Sequence, residues 1–171
     1  NQVTTYTYGT TLSDSEIASS SLLRTETYPD SVDGNDVITY VYNRQGQPIK
    51  RTDQLGTIHE IDYDKLGRTT QDRVTTLGTG VDGAVRRIGL SYDARGLNTE
   101  IGSYNNATVG QGSLVNEVQF AYNDFRQAIT SYQSHTGEVN VSTSPKVQTT
   151  FANGSDNTIR PASLTYPNGR V

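Results

Sequence analysis

Asp62-Tyr63-Asp64-Lys65-Leu66-Gly67-Arg68 is the stretch from which the fold can be read. The residues before Tyr63 are extended in character, and the tyrosine closes that run. Asp64 can accept the backbone N–H two residues on and so open a turn. Gly67 supplies a positive φ at low steric cost. Arg68-Thr-Thr-Gln then begins a second extended segment. The unit reads as strand, tight turn, strand, which is a β-hairpin.

The same unit recurs, and repeats of this kind decide architecture. Tyr42-Asn43-Arg-Gln-Gly46-Gln47, Tyr92-Asp93-Ala-Arg-Gly96-Leu97 and Tyr122-Asn123-Asp-Phe-Arg126-Gln127 are the clearest further copies. Tyr6-Thr-Tyr8-Gly9 and Thr150-Phe151-Ala-Asn-Gly154 are weaker ones. Ahead of the anchors, apolar residues alternate as in half-buried strands: Ile88, Leu90 and Tyr92 on one face, then Val118, Phe120 and Tyr122. Leu77–Gly83, Asn105–Gly112 and Ser142–Pro145 are rich in turn formers and join the hairpins. Short strands at even spacing with turn signals between them predict an all-β meander of consecutive antiparallel hairpins. One helix is a candidate, Ser13–Leu23 with a Ser13/Glu16 capping box, opposed by the run Ser19-Ser-Ser21. A longer echo pairs Thr27-Tyr28-Pro29-Asp30 with Thr165-Tyr166-Pro167-Asn168. The whole of 1–171 is read as one β-repeat segment of a longer repeat protein, with anchors near 8, 42, 63, 92, 122, 151 and 166.

Composition agrees with a sheet and excludes several chemistries. Zero Cys among 171 residues removes disulfide scaffolds, thiolate metal sites and thiol nucleophiles. Val37-Ile-Thr-Tyr-Val-Tyr42, among the longest hydrophobic stretches, is far short of the ~20 residues of a membrane-spanning helix. Net charge is −4 and the pI about 5.1, with no basic cluster beyond Arg86-Arg87, so a nucleic-acid surface is not expected. Leu, Ile, Val and Phe make up about 21% of the chain, close to the roughly 20% level below which disorder sets in. Eleven Tyr stand against three Phe. A folded chain with a thin core is expected.

Tyr63-Asp-Lys-Leu-Gly-Arg68 resembles the signature of YD repeats, also called RHS (rearrangement hotspot) repeats: Tyr-Asp-x-x-Gly-Arg followed by a Thr-rich strand. Tyr92-Asp-Ala-Arg-Gly96, Tyr42-Asn-Arg-Gln-Gly46 and Leu164-Thr-Tyr-Pro-Asn-Gly-Arg170 are similar to its variants. The resemblance implies a long strip of hairpins that spirals into a curved, hollow shell, as in bacterial RHS proteins, toxin-complex shells and teneurins. It implies a structural, non-catalytic role at the cell surface or outside the cell, with neighbouring repeats as partners and an enclosed C-terminal effector or a glycan as further ones. The residues that carry it are Tyr42, Asn43, Gly46, Tyr63, Asp64, Gly67, Arg68, Tyr92, Asp93, Gly96, Tyr122, Asn123, Tyr166 and Gly169. Departures are Arg126 in place of Gly, and Gln47, Leu97 and Gln127 in place of Arg.

Chemistry-bearing candidates are few. Glu60, Asp62 and Asp64 place three carboxylates near one strand end, oxygen ligands of the kind a hard cation takes; a solvated strand face is the plainer reading. Asp30-Ser-Val-Asp33-Gly-Asn-Asp36 is oxygen-rich without the spacing of an EF-hand loop. His59 and His135 are the only histidines, the latter inside Ser134-His135-Thr136, and no nucleophile elbow accompanies them. No cofactor motif occurs, and no cofactor is expected. A glycan-binding module is the alternative reading, with Tyr104 and Tyr132 as surface aromatics. A carboxylate-pair glycoside hydrolase is the remote one. Open sheet edges predict self-association of the isolated chain.

Overall fold

The computed structural model describes residues 2–29, 36–152 and 160–171. Among them every regular element is a strand. In order these are β1 (Thr5–Thr10), β2 (Ser19–Thr27), β3 (Val37–Tyr42), β4 (Pro48–Thr52), β5 (Ile58–Tyr63) and β6 (Thr69–Thr76). Then follow β7 (Arg87–Tyr92), β8 (Asn98–Tyr104), β9 (Leu114–Tyr122), β10 (Ala128–Ser134), β11 (Lys146–Phe151) and β12 (Pro161–Thr165). The chain forms two compact units, one of Asn1–Arg87 with Ala107–Gln111, the other of Ile88–Asn106 with Gly112–Val171.

In the first unit β1 to β6 lie in sequence order, each antiparallel to the next. In the second, β7 to β12 keep sequence order too, with antiparallel registers from β8 through β12. Consecutive antiparallel hairpins are therefore the fold. The cause is local. Each strand is five to nine residues long, several of them rich in Thr, Val, Ile and Tyr, and each is stopped by a turn-forming group before a helix could propagate.

The core is as thin as the composition predicts. Ile38 and Tyr42 are the buried apolar residues among those described, and most strand positions are half-buried. A single sheet layer removes little apolar area from water, so the backbone ladder and the turns carry much of the structure.

Two readings of the sequence are decided here. Ser13–Leu23 is not a helix: residues 11–15 make one turn, with Ser15 N–H bonded to Thr11 O at 3.0 Å, and β2 begins at Ser19. The reason is tertiary. Tyr42 N–H donates to Ser15 Oγ at 3.1 Å and Glu16 N–H donates to Tyr42 O at 2.8 Å, which draws this segment out along β3. Tyr6–Gly9 is not a hairpin turn either. It lies inside β1, where Gly9 (φ 107°) accommodates register shifts at Thr7/Tyr8 and Tyr8/Thr10. The copy at Phe151 closes the β11–β12 ladder opposite Pro161, and its Gly154 lies outside the described residues. Asp30 and Asp33 of the oxygen-rich loop lie outside them as well.

Gly67 has φ 78°, and a Cβ there would sit 3.1 Å from Gln47 Nε2. Gly67→Val places a β-branched residue in that left-handed conformation. It is expected to lower stability by more than about 1 kcal/mol in urea titration; a curve superimposable on the parent's would contradict the turn assignment.

Candidate functional site

The repeated turn is the one constellation this chain builds several times, and its geometry is constant. Asn43 N–H donates to Gln47 O (3.0 Å) and Gly46 N–H to Asn43 O (3.0 Å). The same two bonds recur at Asp64/Arg68/Gly67, Asp93/Leu97/Gly96 and Asn123/Gln127/Arg126, all at 2.9–3.0 Å. This is a three-residue hairpin loop whose last residue is left-handed. The side chain of the opening residue completes it. Asp64 Oδ1 accepts the N–H groups of Leu66 (2.8 Å) and Arg68 (3.0 Å). Asn43, Asp93 and Asn123 each do the same two and four residues on. The N–H of Arg68 holds the Asp64 carboxyl below the usual carboxylate range, and the N–H of Leu97 does so for Asp93.

The second oxygen or nitrogen of that side chain explains the departures from the pattern. Asp64 Oδ2 is paired with Arg68, Nε at 2.7 Å and Nη2 at 2.6 Å. Where the opening residue is Asn, the fourth residue on is Gln. Asn43 Nδ2 donates to Gln47 Oε1 at 3.1 Å, and Asn123 Nδ2 to Gln127 Oε1 at 2.7 Å. Gln is thus the neutral counterpart of Arg. At Asp93 the closing residue is Leu97, and Arg95 supplies the guanidinium from inside the loop, Nε to Oδ2 at 2.8 Å. Arg126 is the one described non-glycine with positive φ (66°), and its Nη2 donates to Arg95 O at 2.8 Å. Arg95 Nη1 in turn donates to Asn123 O at 2.8 Å, and Gln47 Nε2 to Gly67 O at 2.9 Å. Turns along one sheet edge are therefore bonded to one another within each unit.

The anchor tyrosines make a second set of ties. Tyr63 O–H donates to Pro48 O (2.7 Å) and Tyr122 O–H to Asn98 O (2.7 Å). Each acceptor stands two residues past a turn glycine, Pro48 past Gly46 and Asn98 past Gly96. Tyr42 O–H donates to Leu23 O at 2.6 Å. Burial pushes the Tyr63 hydroxyl pKa up. Tyr92 closes β7 ahead of Asp93. Tyr166 stands one position later in its turn than the other anchor tyrosines. Its own N–H donates to Arg170 O (2.9 Å) and Gly169 N–H to Tyr166 O (2.9 Å), so it opens the turn instead of preceding it. Arg170 lies over its ring at 4.9 Å and replaces the acid–guanidinium pair with a cation–π contact.

One turn escaped the sequence pattern. Asp53-Gln-Leu-Gly56-Thr57 has the full geometry: Asp53 N–H to Thr57 O at 3.0 Å, Gly56 N–H to Asp53 O at 3.1 Å, and Oδ1 bonded to the N–H of Leu55 and Thr57. Thr52 precedes it in place of tyrosine, so a search anchored on Tyr passes it by. The Asp-x-x-Gly spacing alone would have found it.

The carboxylates near Tyr63 serve structure. Arg73 lies opposite Glu60 in register, and its guanidinium bonds Asp62 (Nε 2.8 Å, Nη2 3.0 Å) and Glu60 (Nη2 3.2 Å). A cationic side chain thus fills the place between Glu60 and Asp62, and Asp64 faces Arg68. Among the described residues no group of three or more His, Asp or Glu is arranged to hold a metal ion. His59 Nδ1 contacts Asp72 Oδ1 at 2.8 Å. Ser134 Oγ donates to Thr136 O at 3.0 Å and is turned to the backbone instead of to His135. Tyr132 lies under Lys146 Nζ at 5.7 Å, and the Tyr104 ring covers Gly102.

A second acidic group was not singled out by sequence. Glu117 is 4% exposed; its Oε2 accepts Val139 N–H (2.6 Å) and Gln119 Nε2 (3.1 Å). Burial, and then the Glu117 carboxyl diagonally across the β8–β9 ladder, push the Glu100 pKa up, with Glu138 adding to the effect.

No protein-family model matches the chain, and no curated protein does. Among solved structures it is similar to the crystal structure of TcdB2–TccC3–TEV, with a TM-score of 0.54 at 12% identity over 79% of this chain. The chain spans 6% of the length of that one. At this identity the likeness concerns fold, and it supports a fold of RHS type.

Two measurements test these sites. If Asn–Gln is the neutral equivalent of Asp–Arg, the double change Asp64→Asn with Arg68→Gln should lower the melting temperature less than Arg68→Gln alone. The parent's melting should also depend more on salt than the double variant's. Equal losses would show that the pairs are not equivalent. For Glu100 the raised pKa favours the protonated form in the folded state. Stability from this site is full below the ordinary glutamate range and is lost as pH rises through the raised value. Glu100→Gln should therefore raise the melting temperature at neutral pH and change it little in acid; the reverse order would contradict a raised Glu100 pKa.

Proposed function

We propose that this chain is structural wall: a run of YD/RHS-type hairpins within a larger secreted or cell-surface protein, non-catalytic, that encloses or presents another domain. Neighbouring repeats are its partners, and an enclosed effector is its cargo. The observation that supports this reading is what the repeated residues do. The turn-opening acid or amide, its Arg or Gln partner and the anchor tyrosines all bond to this chain's own backbone and side chains, hairpin to hairpin. Residues repeated for a substrate would instead converge on a cleft. The likeness in fold to a chain many times longer is in keeping with one stretch of a long strip.

The direct test is the coding sequence around this segment. Further Asp/Asn-x-x-Gly hairpins are expected beside it; their absence on both sides would overturn the proposal. A solution test follows from the strand order. β12 is Pro-Ala-Ser-Leu-Thr, without a charge to blunt pairing, whereas β1 is broken by register shifts. Sedimentation of the isolated chain should show concentration-dependent association that Ser163→Lys reduces. A strictly monomeric parent at high concentration would contradict an edge built to receive another strand.

A further inference from the structure

Glu138-Val139-Asn140-Val141-Ser142 lies in the connection between β10 and β11. It contains Asn-x-Ser with x other than proline, the acceptor pattern for transfer of an oligosaccharide to the Asn side chain. Two further triplets of this kind occur, Asn106-Ala107-Thr108 and Asn153-Gly154-Ser155. Of the three, only Asn140 has an acid two residues before it; Tyr104 and Phe151 hold that place in the others. The acid matters because one class of oligosaccharyl transferase pairs it with a cationic side chain of its own, a charge-assisted contact.

The fold presents this triplet. The connection is tied down at both ends. Gly137 N–H donates to Val115 O at 2.9 Å and Val139 N–H to Glu117 Oε2 at 2.6 Å, while Gln133 N–H donates to Pro145 O at 3.0 Å. Between these ties the chain makes one compact turn. Thr143 and Ser144 N–H donate to Asn140 O at 3.0 and 2.7 Å, and Asn140 N–H donates to Ser144 Oγ at 2.9 Å. Ser142 N–H donates to Asn140 Oδ1 at 2.9 Å, which fixes the side-chain amide beside the Ser142 backbone. Asn140 Nδ2 and Ser142 Oγ, the two groups the transfer needs, take no part in these bonds. Glu138, Asn140, Val141, Ser142 and Thr143 are all exposed. Asn106 and Thr108, by contrast, are each engaged within the fold. Asn153 lies outside the described residues. The connection also leaves β10 at the end opposite the Asn123–Gln127 turn. A bulky substituent there stays clear of the bonds by which Arg95 and Arg126 join neighbouring turns.

We propose that Asn140 is the acceptor for a covalently attached oligosaccharide. The donor is a sugar linked through C1 to a polyprenyl pyrophosphate. Asn140 Nδ2 attacks C1, the N–C1 bond forms and the C1–O bond breaks. The polyprenyl pyrophosphate leaves with the electron pair, and one Nδ2 proton passes to a base of the transferase. Nothing is oxidised or reduced. The inference rests on the reading of the chain as part of a secreted or cell-surface protein, because this transfer takes place on the non-cytoplasmic side of a membrane.

The test runs on the purified, folded chain with a transferase of the acid-dependent class and its polyprenyl-pyrophosphate oligosaccharide. Intact mass and fragmentation of the modified peptide are read. One saccharide should be added per chain, at Asn140. Asn140→Gln and Ser142→Ala should each abolish transfer. Glu138→Gln should slow it about tenfold, the loss usual for one charge-assisted contact. Asn140 is exposed, so the Asn140→Gln chain should melt as the parent does and show that lost transfer is not lost folding. The same peptide is then analysed in the native protein recovered outside the cell. Absence of transfer to Asn140 in the purified reaction overturns the proposal, as does transfer to Asn106 in its place. Transfer that persists in Asn140→Gln overturns it too, and so does bare Asn140 in the native protein. The structural reading survives each of those results and fails separately, on flanks that lack hairpins.

Discussion

One side-chain oxygen per hairpin is the constraint on which this sheet depends. Oδ1 of Asn43, Asp53, Asp64, Asp93 or Asn123 gathers the N–H groups two and four residues on, and so closes a loop of fixed shape. In a protein with a filled core, a poor turn can be rescued by packing. Here the buried apolar residues are Ile38 and Tyr42 among those described, and a thin layer offers little rescue. Strand register must then come from the turns, since the turn type sets which residues face each other. The registers bear the mark of this. Past each of three turns one residue is skipped, Ile49, Thr70 or Ile129, so that the bulge falls three residues after the left-handed position every time.

Because the turn does this work, its exceptions are compensated where they occur. Replacing Asp by Asn removes a charge, and replacing Arg by Gln four residues on removes the matching one, so the pair stays bonded. Losing the closing Arg at Leu97 is met by Arg95. Losing the glycine at Arg126 is met by a guanidinium bond to the neighbouring turn. Tyr166 loses the acid altogether and stacks with Arg170. These pairs are part-exposed and individually weak. Their value is geometric: each restricts a loop that the rest of the sheet cannot restrain.

The fold was legible because its determinants are local. A five-residue turn and an alternating strand leave their signature within one short window, and the hairpin anchors at Tyr42, Tyr63, Tyr92 and Tyr122 all close strands where the spacing places them. What stayed hidden was set at longer range. The segment Ser13–Leu23 has helical signals, but its state is decided by Tyr42, a residue of β3. Tyr6–Gly9 has the turn composition without the side-chain oxygen, and glycine alone gave a bulge. Asp53 has the oxygen without the tyrosine, and the turn formed. In this comparison the turn follows the side-chain oxygen of Asp or Asn, and the aromatic does something else. The Glu100–Glu117 contact was invisible for a different reason: it arises where cross-strand neighbours meet diagonally, and it leaves no spacing in the chain.

What the aromatic does accounts for the excess of Tyr over Phe. A phenyl ring would fill the half-buried face before each turn as well as a phenol ring. Only the phenol reaches a carbonyl of an earlier hairpin, as Tyr63 reaches Pro48, two residues past Gly46, and Tyr122 reaches Asn98, two past Gly96. That carbonyl belongs to the returning strand of the hairpin before. The turn oxygen therefore fixes each hairpin internally, and the tyrosine hydroxyl joins successive hairpins. A strip assembled this way needs no core behind it to stay in register, because its order is written in short bonds between neighbours. The same economy explains the polar, hydroxyl-rich composition: with one layer and two wet faces, side chains that bond to backbone stabilise more than side chains that only exclude water.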